Sequence, residues 1–188
     1  MKLKTERLTL EELSLGDLDD IHQLHSLPET DEFNTLGIPE NIETTKQLIY
    51  EWIKQQQNDP RTSYVFSVRL AETNQFIGLL ALNLGKTNYK IAETWYKIHS
   101  AFWRQGYTTE ALLELLNFGF HKLGLHRIEA GCAVENIASI RVLEKVGMIK
   151  EGSKRKILPI RGKWVDNYIY AILDTEMKDH LEYKGKSF

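Results

Sequence analysis

Cysteine is nearly absent from this chain: Cys132 stands alone among 188 residues. No disulfide can form within it, and a lone thiol fits a reducing compartment, so a cytoplasmic protein is expected. Prolines number 4 and glycines 12, too few for a collagen-like repeat or a proline-rich linker. Long apolar runs are missing as well. Nothing approaches the ~18 residues of a membrane span, and Lys2, Lys4, Glu6 and Arg7 break up the stretch where a signal peptide's core would lie. An excess of one charge is also lacking. Lys and Arg total 24 against 26 Asp and Glu, for a net charge of −2. That balance offers nucleic acid no basic face, and the short run Lys154-Arg155-Lys156 is read as solvated. The 6 histidines, at 22, 25, 99, 121, 126 and 180, show no ligand spacing. No metal site is expected.

What remains is an ordinary globular composition, 42% hydrophobic, ample for one core. A single domain over 1–188 is expected, with its core at about 5–174. Residues 5–13 alternate as a half-buried strand does. Asp17 is read as the cap of a helix ending near Ser26, with Leu18, Ile21, His22, Leu24 and His25 inward. A polar loop at 28–41 precedes a second helix at 43–57. Tyr64–Leu70 and Phe76–Leu82 read as a hairpin, and Ile91–Ile98 as a third antiparallel strand. The pattern then turns helical from Thr108 to Lys122, with Ala111, Leu112, Leu115, Leu116 and Gly119 in one stripe. A strand at Arg127–Val134, a helix at Ala138–Val146 ended by Gly147, and strands near Lys150–Ile157 and Tyr168–Leu173 complete the order. The expected fold is α/β, one mixed sheet with helices packed over it. Cys132 and the tryptophans 52, 95 and 103 are read as packing residues.

Two stretches carry chemistry. The first, WRQGYTTE at 103–110, joins a strand to an amphipathic helix. A helix start presents unpaired N–H groups and partial positive charge, which suits a phosphate. Gly106 lets a ligand approach the backbone, and Thr108 or Thr109 can cap. An ordinary capped helix fits these residues equally well, and the spacing matches neither an ATP loop nor a dinucleotide fingerprint. The second, NIASIRVLEKVG at 136–147, places Asn136 and Ser139 at a strand end and a first helical turn. Either residue could face a polar ligand or cap its helix.

In this order and spacing, WRQGYTTEA at 103–111 and NIASIRVLEKVGM at 136–148 resemble the GNAT superfamily of acetyltransferases, specifically its RimJ/RimL-like branch. TERLTL near the start, IGLLAL at 77–82, LGLHRIEA at 123–130 and RGKWVDNYIYAIL at 161–173 extend the likeness from about Thr5 to Asp174. Thr108 departs from the usual Gly or Ala, and Thr94 from the branch's apolar residue. The resemblance implies a GNAT-like, mostly antiparallel central sheet flanked by helices, and acetyl-CoA as co-substrate. It implies that the backbone of Arg104, Gln105, Gly106, Tyr107, Thr108 and Thr109 holds the pyrophosphate. The strand ending at Ile98 would pair with the pantetheine arm, and Asn136 and Ser139 would lie near the sulfur. Ser139 would donate to the leaving thiolate, with Glu93 as the candidate base. Glu129 is read as half of an ion pair and Asp166 as an acceptor-side contact, while Leu158 stands where some relatives carry a base or orienter. The acceptor would be an amine, foremost a protein N-terminus. A small-molecule amine, or a silent acyl-CoA sensor on the same fold, are the alternatives, and an oligomer is compatible with any of them.

Overall fold

The computed structural model describes residues 1–177; His180 lies outside them. The strand expected over 5–13 is present in shorter form as β2 (Leu8–Glu12), and a further short strand, β1 (Lys2–Lys4), precedes it. Thr5 makes the break. Its N–H donates to the Leu8 carbonyl at 3.0 Å and its hydroxyl accepts from Leu8 N–H at 2.9 Å, closing a turn between them. A 3₁₀ turn at Leu15–Asp17, capped by Ser14, leads into α1 (Leu18–Ser26). Asp17 does not cap α1 with its side chain. Its carboxylate instead accepts from Ser14 N–H at 2.8 Å and from Arg69 at 2.6 Å, because a guanidinium outcompetes a lone helix-end N–H for a carboxylate.

The polar stretch that follows contains a four-residue helix, α2 (Pro28–Asp31). Asn41 then caps α3 (Ile42–Gln57) by accepting from Thr44 N–H at 3.0 Å. Strands β3 (Ser63–Leu70), β4 (Phe76–Leu84) and β5 (Ile91–Ile98) fold as a meander. Helix α4 (Tyr107–His121), strand β6 (Arg127–Ala133) and helix α5 (Ile137–Lys145) come next. Gly147, at φ 90°, ends α5: Met148 N–H returns to Leu143 O and Gly147 N–H to Glu144 O, which only a left-handed residue allows.

The last two strands are longer than expected. β7 (Ile149–Ile160) and β8 (Lys163–Leu173) form one hairpin, so residues 158–167, between the two strands expected, are strand, turn and strand. Arg161 and Gly162, at φ 48° and 74°, make the two-residue turn. β7 is exposed along most of its length, so no apolar alternation marks it.

All eight strands share one sheet in the order β1-β2-β3-β4-β5-β6-β8-β7. Every neighbouring pair is antiparallel except β5 and β6. One face packs under α4 and α5, through Leu10, Phe66, Leu82, Ile128 and Tyr170 against Leu112, Leu116 and Leu143. The other face packs under α1 and α3, through Val65, Leu79 and Ala81 against Ile21, Leu24, Ile49 and Trp52. The parallel pair is brief. Its register covers Ile91↔Arg127, Ala92↔Ile128 and Glu93↔Glu129, and then stops. β5 stays with β4 and β6 stays with β8, so the sheet opens into a wedge. Its walls are the backbone edges of Thr94–Ile98 and of Ala130–Ala133.

Candidate active site

Two helix N-termini flank the wedge, because the loops after β5 and β6 lead directly into α4 and α5. Gly106 is the N-cap of α4, at φ 81° and ψ −2°. No side chain caps this end, so Thr108 and Thr109 lie inside the first turn and are not caps. Glycine allows the chain to reverse one residue earlier than a threonine cap would. The N–H groups of the first turn therefore face outward without a capping oxygen, as a pyrophosphate requires. Arg104, at φ 61°, is also left-handed, so the loop turns sharply on both sides of Gln105.

This loop is held from behind by a residue pair that the motif alone did not reveal. The Glu110 carboxylate accepts from Thr5 Oγ1 at 2.5 Å, from Arg7 N–H at 2.9 Å and from Arg7 Nε at 2.6 Å. Arg7 also donates to the Gln105 carbonyl at 3.0 Å and lies 4.6 Å from the centre of the Tyr107 ring. The turn between β1 and β2 thus fixes the loop that precedes α4. Its signal in the sequence is the Thr5-Glu6-Arg7 triplet read together with the motif's own Glu110.

At the other helix, Asn136 is the cap: its side-chain oxygen accepts from Ser139 N–H at 3.0 Å. The Ser139 hydroxyl is thereby spared, and it lies 2.6 Å from the Tyr96 hydroxyl. Tyr96 escaped notice in the sequence. Alternation along β5 places it on the α4/α5 face with Ala92 and Ile98. Burial pushes its phenol well above the usual range, so it stays protonated and able to donate. Ile98 contributes through its backbone: its side chain is in the core and its carbonyl accepts from the Trp103 indole at 2.6 Å. Trp103 is 42% exposed, so it covers the loop and does not pack in the core.

On the opposite face of β5 the residues are Glu93, Trp95 and Lys97. Glu93 is exposed at the apex of the wedge, opposite Glu129. Glu129 is paired with Arg127 at 2.7 Å, while Asp166 accepts from Lys156 N–H at 2.9 Å inside the hairpin. Leu158 pairs with Val165 in the same hairpin. Cys132 is buried, and burial raises its thiol to about 11, which removes it as a nucleophile at neutral pH. Among the described residues no group of His, Cys, Asp and Glu could hold a metal ion, and no helix is long and apolar enough to cross a membrane.

His25, in α1, packs edge-on against Trp52, and burial lowers its pKa to about 3. Lys97 and His22 add like charge against its protonation, and Asp31 lies on the next helix. The native state holds this ring neutral, whereas the unfolded chain protonates it near 6.5. Stability is therefore complete above pH 6.5 and falls as acid drives His25 toward its native value. Urea unfolding should show a loss of about 2 kcal/mol between pH 6.5 and 5 from this one group. His25→Phe should flatten that slope; an unchanged slope would place the acid sensitivity elsewhere.

Comparisons with known proteins identify relatives of the chain as a whole. The family described as "Acetyltransferase (GNAT) domain" matches residues 7–149. A curated relative, "Uncharacterized N-acetyltransferase p20" of Bacillus licheniformis, is 30% identical over 93% of this chain and 97% of its own. Among solved structures, spermidine N-acetyltransferase from Vibrio cholerae in complex with CoA and spermine is 25% identical, with a TM-score of 0.81. That match covers 92% of this chain and 99% of the other. RimL, a ribosomal L7/L12 α-N-protein acetyltransferase in complex with coenzyme A, matches at a TM-score of 0.83 over 92% and 98% of the two chains. Its identity is 19%, so that likeness is one of fold.

Proposed function

We propose, from the premise that the chain belongs to the GNAT acetyltransferase family, that it acetylates the α-amine at a protein N-terminus. The coarser statement stands on the family: this is an acetyl-CoA-dependent acetyltransferase. Acetyl-CoA supplies the activated thioester. The observation that carries the catalytic reading is the Tyr96–Ser139 pair at 2.6 Å, beside the wedge.

In this reading the N–H groups that follow Arg104 hold the pyrophosphate, and the unpaired edge of β5 up to Ile98 runs beside the pantetheine arm. The thioester then lies in the wedge, with α4 and α5 closing one face. The amine arrives from the other face, the one that carries Glu93. As its nitrogen bonds to the carbonyl carbon, the carbon–sulfur bond breaks. The proton on nitrogen leaves through water and Glu93. Sulfur takes a hydrogen bond and then a proton from Ser139, whose oxygen is restored by Tyr96 and solvent. Ser139 touches the reacting atoms; Tyr96 positions it.

The choice of an α-amine rests on basicity. An α-amine of pKa about 7.8 loses its proton readily, whereas a lysine near 10.4 costs about 3.5 kcal/mol more. A strong, enclosed base would have to offset that cost. Glu93, exposed to water, is not one. The similarity to the Vibrio spermidine enzyme favours a polyamine as the second reading. The test is a competition among free α-amine peptides, the same sequences blocked at the α-amine but carrying lysine, and spermidine. Free α-amine peptides should turn over at least tenfold faster. Faster acetylation of the blocked peptides or of spermidine would overturn the α-amine reading.

A further inference from the structure

The α1/α3 face of the wedge holds buried polar atoms that the mechanism does not use. Lys97 Nζ, Asp31 Oδ1 and Ser67 Oγ have no hydrogen-bond partner among the described residues, though their residues are 7%, 5% and 1% exposed. Asn167 Oδ1, also buried, has none either. Buried polar groups in folded proteins are nearly always paired, and a buried ammonium without a partner is the most costly case. Register gathers these groups. Ser67, Leu79 and Lys97 form one row across β3, β4 and β5. Counting on from the Glu93–Glu129 pair brings Lys97 level with Ala133, whose partner in β8 is Asn167. Lys97 and Asn167 therefore stand at one level on opposite sides of the wedge. Gly131 makes room on that side: a methyl there would fall 2.8 Å from the Asn167 amide nitrogen.

A strap crosses over this opening. Arg161, at the tip of the β7–β8 hairpin, donates to Asp31 Oδ2 at 3.2 Å and to the Pro28 carbonyl at 2.8 Å. The hairpin, which lies beyond β6 in the sheet, is thereby tied to α2, whose Asp31 lies near Lys97 of β5. Arg161 uses one oxygen of Asp31 and leaves the other. Asp31 is near enough for its charge to act on Lys97, yet the two form no ion pair. The inner wall is apolar, with the Trp95 ring centre 5.5 Å from that of Trp52 and tilted 37° to it.

We propose that this strapped chamber is the acceptor pocket, and that Lys97 selects acceptors whose amine adjoins a carbonyl or carboxylate oxygen. Lys97 donates to that oxygen, while Asp31 Oδ1 and Asn167 Oδ1 accept from the amine side. A peptide N-terminus offers both partners three bonds apart, along N–Cα–C=O. A polyamine offers only cationic nitrogens, which leave the Lys97 ammonium unpaired and repel it. The assignment rests on the α-amine reading and deepens it.

The test uses the whole enzyme with an alanine-led tetrapeptide, the analogue whose first carbonyl is reduced to methylene, and spermidine. The wild type alone judges the α-amine reading: if it acetylates spermidine and not the tetrapeptide, that reading fails and the pocket assignment falls with it. Given peptide turnover, Lys97→Met should raise the peptide KM at least tenfold and leave the acetyl-CoA KM within twofold. It should also erase the preference for the carbonyl-bearing peptide over its reduced analogue. Melting temperature checks folding, and Lys97→Gln, which keeps a donor, should recover part of the peptide KM. An unchanged peptide KM in a folded Lys97→Met variant overturns the proposal. So does a parallel rise in both KM values, which would make Lys97 a structural residue only.

Discussion

Gly106→Val should raise the dissociation constant for acetyl-CoA by about a hundredfold while leaving a folded protein. Gly106 sits at φ 81°, where a side chain is strained wherever it points. A left-handed backbone costs an ordinary residue about 1–2 kcal/mol, and a β-branched one more. In a chain of this size that is a drop of several degrees in melting temperature, on the order of 2–4 °C per kcal/mol. The ligand suffers more than the fold. A side chain at the N-cap of α4 stands among the N–H groups that a pyrophosphate must reach, and its Cβ would already lie 3.4 Å from the Arg7 guanidinium. Thermal shift separates the two effects. Acetyl-CoA at a hundredfold over its dissociation constant should stabilise the wild type by about 2.7 kcal/mol, and the same concentration should barely move Gly106→Val. ATP and NAD should move neither protein. A normal acetyl-CoA shift in the variant would put the phosphate site elsewhere; no shift in the wild type would remove the cofactor reading of the loop.

The elements that position this site were the most legible in the sequence. β5 has the expected bounds, and α4, whose apolar stripe runs without interruption, differs by one residue at each end. The β7–β8 hairpin was half legible, since β7 is exposed along most of its length and has no apolar alternation. Asp17 shows a different limit: its cap pattern was present, but Arg69, far along the chain, takes the carboxylate. The same holds for Arg7 with Glu110 and for Tyr96 with Ser139. Each joins residues that only the sheet's register brings together. Lys97 left one local sign, a charge beside Ile98 on a strand otherwise suited to burial. Its unpaired state could not be read there, because it depends on what α2 and the hairpin place around it.

Ser139→Ala should lower kcat by about a hundredfold, the lower end of what a positioned acid contributes. The acetyl-CoA KM should change little, since the hydroxyl acts on a charge that develops only as the carbon–sulfur bond breaks. The fold should tolerate the change, because Asn136 and not Ser139 caps α5, and the cap uses Ser139 only through its backbone N–H. Tyr96→Phe should cost about tenfold in kcat, since a positioning residue acts through the serine and part of that alignment survives without it. Its cavity cost is small, as phenylalanine keeps the ring. The decisive measurement is the double variant. If Tyr96 works only by orienting Ser139 and supplying its proton, then Tyr96→Phe should cost nothing more once Ser139 is alanine. The coupling between the two, read from kcat, should then equal the whole Tyr96 effect, about 1.4 kcal/mol for a tenfold change. Additive losses would mean that the tyrosine meets the sulfur by its own route. A Ser139→Ala enzyme with unchanged kcat and a weakened acetyl-CoA KM would reduce the serine to a binding contact.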